Sequence, residues 1–127
     1  AQGFVPGTHA STFGGGPVVT AAALTVLDIL ARPEFLADVA AKSEYFMAGL
    51  RHLQQRHSFI REVRGLGLIL GVEIDRDGVP YVDACREKGA LINCTQGNVL
   101  RFLPPLIVSR EEIDRFLTIL DDVLAKK

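Results

Sequence analysis

Between Gly7 and Pro17 the chain reads Gly-Thr-His-Ala-Ser-Thr-Phe-Gly-Gly-Gly-Pro, with two adjacent hydroxyls and three consecutive glycines directly before a helix start. Pro17 suits the first helical position, where its missing N–H would have had no intrahelical acceptor. Gly16 is an acceptable N-cap. First-turn N–H groups with hydroxyl side chains beside them form an anion site, and a phosphate is the natural guest. Thr12 is the first candidate ligand and Ser11 the second, because each hydroxyl can donate a hydrogen bond. The same composition also describes a glycine-rich loop in which Thr12 bonds its own backbone. His9 stands near Ser11, but no third group orients it as a base. A structural or substrate-side histidine is the simpler reading.

Arg101 is the second place where chemistry is legible. It sits between Leu100 and Phe102, shortly before Pro104-Pro105. An arginine in an apolar strand needs an anionic partner if it is buried. Its guanidinium grips a carboxylate through two parallel hydrogen bonds, so an amino-acid or oxo-acid substrate suits it. The alternative is a solvent-facing strand arginine. Other motifs are less productive. Gly65-Leu66-Gly67 has Leu70 where a dinucleotide fingerprint would have its third glycine. Arg64, Gly65, Gly67 and Glu73 read as structural, with a tight turn or close backbone approach at the glycines and an Arg64–Glu73 ion pair left open. Asp75-Arg76-Asp77-Gly78 begins like a calcium loop, but the ligand pattern stops there, so it reads as a turn and no metal is expected.

The elements that must position these residues follow from periodicity. A first helix runs from about Pro17 to Ala31, and its residues 18–31 are apolar almost all round, which is the pattern of a buried helix whose partner surfaces lie elsewhere. Pro33 and Glu34 start a second helix, with Phe46, Met47, Leu50 and Leu53 on its apolar stripe, ending near His57. Phe59 to Arg64 reads as a strand. After a turn at Gly65–Gly67, Leu68, Leu70, Val72 and Ile74 alternate with outward positions in a strand period. Pro80 opens a short helix and Gly89 closes it. Two short strands follow, at about Leu91–Cys94 and Val99–Phe102. Ser109 and Glu112 form a capping box before a last helix whose stripe is Ile113, Phe116, Leu117, Leu120, Val123 and Leu124. The order α-α-β-β-α-β-β-α predicts an α+β fold, a small, partly antiparallel sheet covered by helices.

Composition narrows the function classes. The 127 residues are enough for one real core, and 48% of them are hydrophobic. Lysine and arginine total 14 against 15 acidic residues, a net charge of −1. That leaves no electrostatic footprint for nucleic acid or a membrane surface. The apolar run at 18–31 is too short to span a bilayer. Cys85 and Cys94 make no disulfide framework, which points to a reducing cytoplasm. The chain opens at Ala1 without a signal-peptide pattern and reads as a piece of a longer protein.

Three stretches together resemble class III pyridoxal-phosphate-dependent aminotransferases. Gly7 to Pro17 is similar to that family's G-x-H-[GA]-[ST]-T-F-G-G-N-P. Val63 to Glu73 is similar to V-R-G-x-G-L-x-x-G-x-E. Leu91-Ile92-Asn93-Cys94 through Val99-Leu100-Arg101-Phe102-Leu103-Pro104-Pro105-Leu106 is similar to its segment N-x-x-R-F-x-P-P-L. Their order and spacing fit across essentially the whole chain. The one departure is Gly16, where the family usually has Asn, a cap difference worth a few tenths of a kcal/mol. The resemblance implies the small C-terminal domain of a fold-type I aminotransferase. Residues 1–31 would be the edge of the large cofactor domain and its connecting helix, and residues 32–127 the small domain. It implies a homodimer in which Thr12 binds the cofactor phosphate of the neighbouring subunit, with Ser11 as a second donor. Arg101 would hold the substrate α-carboxylate. Such enzymes need a Schiff-base lysine. Lys42, Lys88, Lys126 and Lys127 lack the family's surrounding motif, so that lysine is expected upstream. The expectation is a part of an enzyme that moves an amino group between a basic amino-acid derivative and 2-oxoglutarate, inactive by itself. A non-catalytic binding or dimerisation module derived from the same fold is the alternative.

Overall fold

The computed structural model describes Val5, Gly7 and residues 10–126. The elements are α1 (Pro17–Leu30), α2 (Pro33–Arg56), β1 (Ile60–Leu66), β2 (Ile69–Ile74), α3 (Val79–Glu87), β3 (Asn93–Thr95), β4 (Val99–Phe102) and α4 (Arg110–Ala125). The order is the one the periodicity predicts. Two compact units emerge, Ala1–Leu36 and Ala37–Lys127.

In the first unit, Gly16 is the N-cap of α1 with extended dihedrals, and no side chain caps the helix. Thr20 instead turns its hydroxyl back to donate to Gly16 O at 2.7 Å. The helix buries none of its residues.

The second unit is built on a fully antiparallel sheet in the order β1-β2-β4-β3. The two-residue period of β2 sends Leu70, Val72 and Ile74 to one face, and β4 adds Leu100 and Phe102. Against that face α2 contributes Phe46, Leu50 and Leu53. α3 contributes Tyr81 and Cys85, and α4 contributes Ile113, Leu120, Val123 and Leu124. Each large side chain buried this way is worth roughly 1.5–3 kcal/mol over leaving it in water. Phe46, Phe102 and Phe116 form an aromatic knot joining α2, β4 and α4, with ring centroids 5.1–6.0 Å apart.

The predicted capping box is present. Ser109 Oγ accepts from Glu112 N–H at 3.2 Å, while Glu112 Oε2 accepts from Ser109 N–H at 2.8 Å. Local boundaries shift at several element ends. The short helix opens at Val79, one residue before Pro80. The third strand begins at Asn93 rather than Leu91. The hairpin turn is Gly67–Leu68, since Gly65 and Leu66 pair with Leu70 and Ile69. Gly67 has φ +55°. A left-handed first residue suits a two-residue hairpin, because it matches the right-handed twist of the strands.

Candidate functional site

Ser11 and Thr12 lie in the first unit, both exposed, in the loop that leads into α1. Ser11 Oγ accepts a hydrogen bond from the Gly14 N–H at 3.0 Å. This local turn holds the loop in shape and leaves the Ser11 hydroxyl proton free to donate elsewhere. The local bonding that the sequence allowed for Thr12 is therefore made by Ser11. The Thr12 hydroxyl has no partner among the described residues. Beyond Pro17, the N–H groups of the first α1 turn lack intrahelical acceptors. The loop and helix start thus supply hydroxyls and backbone donors of the kind a phosphate takes. His9 lies outside the described residues.

Arg101 belongs to the second unit. Along β4, Leu100 and Phe102 face the core and Arg101 projects from the opposite side of the sheet, exposed. Strand register builds a row around it. Arg64 of β1 stands opposite Gly71 of β2, Gly71 opposite Arg101 of β4, and Arg101 opposite Asn93 of β3. Directly opposite residues of antiparallel strands share a face, so this row crosses the outer surface of the sheet.

The two arginines of the row differ sharply in their surroundings. Arg64 Nη1 donates to Glu62 Oε2 and to Glu73 Oε2, each at 2.7 Å. Its hydrogen bond to Glu73, reinforced by the charges of both carboxylates, raises its pKa further above the ordinary arginine value. Two carboxylates already satisfy it. The Arg101 guanidinium has no carboxylate and no hydrogen-bond partner among the described residues. Between them lies an open concavity of about 360 Å³, lined by Arg64, Gly65, Leu66, Gly71, Val99 and Arg101 among others. An unpaired guanidinium at the edge of a partly apolar hollow is set up to take a carboxylate in bidentate fashion.

Other potential chemistry is closed off. Burial pushes the Cys85 thiol up to about 11, which disarms it as a nucleophile. Lys42 is ion-paired with Asp38 at 2.6 Å, and Lys88 with Asp122 at 2.8 Å. No cluster of histidine, cysteine or carboxylate side chains suited to a metal occurs among the described residues. No helix among them is long and apolar enough to cross a membrane.

The chain matches the model of the family "Aminotransferase class-III" over residues 1–124. It belongs to the class III aminotransferases. Members of this family depend on pyridoxal phosphate. The chain is 51% identical over 124 residues to the acetylornithine aminotransferase of Caldanaerobacter subterraneus subsp. tengcongensis, covering 97% of this chain and 32% of that protein. It is 42% identical over 111 residues to the ornithine aminotransferase of Staphylococcus carnosus, covering 87% of this chain and 28% of that protein. Among solved structures, the acetylornithine aminotransferase of Elizabethkingia anophelis superposes with a TM-score of 0.83 at 27% identity, over 98% of this chain and 34% of that one. An ornithine aminotransferase of Toxoplasma gondii, described with partial occupancy of PLP at its active site, gives 0.81 at 33% identity, over 96% and 30%. This aminotransferase chain therefore spans about a third of the length of the relatives it matches.

What the sequence missed is the company Arg101 keeps. Alternation along β2 places Gly71 on the same side as Glu73, a signal present in the residues themselves. Only the strand order brings Gly71, Arg64 and Asn93 into one row with Arg101.

Proposed function

We propose that this chain is the C-terminal third of an acetylornithine aminotransferase, transferring an amino group from N-acetylornithine to 2-oxoglutarate in arginine biosynthesis. The full-length enzyme would be a cytoplasmic homodimer. When bound, pyridoxal phosphate supplies the electron sink and the reactive carbonyl for amino transfer. This chain's part is to hold ligands in place. Thr12 would donate its hydroxyl to the cofactor phosphate across the dimer interface, with Ser11 as second donor and the α1 N–H groups beside them. Arg101 would grip the α-carboxylate of amino donor and oxo acid in turn, fixing the reacting carbon by two parallel hydrogen bonds. Residues 1–127 alone are expected to show no turnover, because Lys42 and Lys88 are engaged in ion pairs and none of the four lysines carries the attachment motif.

The observation that carries the substrate role is the contrast in one strand row. Arg64 is neutralised by two carboxylates while Arg101 is exposed without one. The test is Arg101→Lys in the full-length enzyme. Lysine keeps the charge but loses the planar fork, so kcat/KM should fall for both N-acetylornithine and 2-oxoglutarate, with melting temperature and cofactor retention preserved. Near-normal kcat/KM for both substrates would return Arg101 to a surface role. Ornithine as donor is a second reading, favoured by the 42% identity to an ornithine aminotransferase. 4-Aminobutyrate is a third, and kcat/KM of the full-length enzyme for N-acetylornithine, ornithine and 4-aminobutyrate separates the three.

A further inference from the structure

Two glycines of the β1–β2 hairpin have opposite reasons for being there. A Cβ built on Gly65 would stand 2.4 Å from Ile69 O and 2.6 Å from Leu70 Cδ2. The hairpin itself forbids a side chain at that position. A Cβ on Gly71 would meet nothing closer than Val99 Cγ1 at 3.4 Å, an ordinary van der Waals contact. Gly71 is also absent from the residues with left-handed φ. Neither backbone conformation nor packing within this chain calls for glycine there. In a strand interior, glycine even carries a cost, since it loses more backbone entropy on folding than any other residue and packs nothing.

What Gly71 does provide is room. It lines the open concavity of about 360 Å³ and lies directly opposite Arg101 in the strand register. We infer that Gly71 is a specificity-determining position, which keeps a side chain out of the concavity beside Arg101 so that a carboxylate-bearing substrate has clearance there. The inference rests on the reading of Arg101 as the carboxylate ligand. A bidentate guanidinium–carboxylate pair is planar, and the carbon chain beyond the carboxylate needs clearance in that plane. On the far side of Gly71, Arg64 with its two glutamates forms a self-satisfied wall. The ligand is therefore held by one carboxylate at Arg101, and its remaining atoms occupy the space that a side chain at position 71 would fill.

The experiment compares Gly71→Ala, Gly71→Val and Arg101→Lys in the full-length enzyme. KM and kcat for an α-amino acid donor and for 2-oxoglutarate are measured beside the thermal midpoint and cofactor content. KM for both substrates should rise with side-chain size, by about 10- to 100-fold for valine. Thermal midpoint and cofactor content should stay at or above the wild-type level, because a β-branched residue suits a strand. A Gly71→Val enzyme with unchanged KM, where Arg101→Lys raises it, would overturn the role of Gly71 alone. An equal loss of KM, melting temperature and cofactor would also overturn it and assign the glycine to folding. If Arg101→Lys leaves both KM values unchanged, the carboxylate reading falls, and this inference with it.

Discussion

α1 and α4 are helices of similar length that obtain their stability in opposite ways. α4 spans 16 residues and buries Ile113, Leu120, Val123 and Leu124 along one stripe. Its first turn is closed by the reciprocal Ser109–Glu112 cap and carries Glu111 and Glu112 against the positive end of the helix dipole. α1 spans 14 residues and buries none. Val18, Leu24, Val26 and Leu27 are all more than half exposed. Neither an acidic residue nor a capping side chain supports its first turn. The teaching is that hydrophobicity stabilises a helix only where it is one-sided and covered. The apolar surface of α1 is distributed around the helix rather than gathered in one stripe, and an isolated helix of this length is marginal in water. The 51% identical relative is about three times as long, and α1 is expected to gain its order in the full-length enzyme.

The strongest break of this comparison is a pair of truncations. Leu120→Ala in the isolated chain removes a fully buried side chain and should cost about 2–5 kcal/mol in chemical unfolding. Leu27→Ala in exposed α1 should stay within about 0.5 kcal/mol. A large loss at Leu27 would show that α1 is packed in solution. Thr12→Ala sharpens the contrast from the other side. It should leave the melting curve of the cofactor-free full-length enzyme unchanged yet weaken cofactor binding by about 1.5–3 kcal/mol, the worth of a hydrogen bond to a charged group. The cofactor dissociation constant is the readout, and an unchanged value would remove Thr12 from the phosphate site. A smaller effect is expected at the cap of α4, where Ser109→Ala should cost about 1 kcal/mol in urea unfolding. No equivalent substitution at Gly16 of α1 can remove a side-chain cap that is not there.

The mildest effect is on acid stability. Burial pulls the Asp121 carboxyl upward, but hydrogen bonds from His57 and Arg56 outweigh that and hold it below its ordinary 3.8. His57 Nε2 lies 2.8 Å from Asp121 Oδ1, tying the end of α2 to α4. A carboxyl whose pKa is lowered by folding stabilises the native state fully above its unfolded pKa. That contribution is lost as pH falls through the folded value. Asp121→Asn should therefore lower the urea midpoint near pH 6 and narrow its difference from wild type near pH 3. Parallel curves at both values would exclude the pair as a source of acid sensitivity.

The chain's own residues determined a great deal. The three-and-a-half-residue stripes of α2 and α4, the two-residue period of β2 and the Ser109–Glu112 box are local patterns, and a single element displays each of them. The eight elements and their order were therefore readable, and Thr12, Ser11 and Arg101 stood out as candidates for chemistry. Ends were less readable. The turn fell at Gly67–Leu68 because Gly65, which cannot accept a side chain against Ile69 O, was drawn into the ladder. Tertiary structure alone decided that β4 lies between β2 and β3. Strand order depends on contacts between residues far apart in sequence, and no local period encodes it. The β1–β2 hairpin alone pairs Arg64 with Glu62 and Glu73, but only the strand order set the lone guanidinium of Arg101 opposite Gly71.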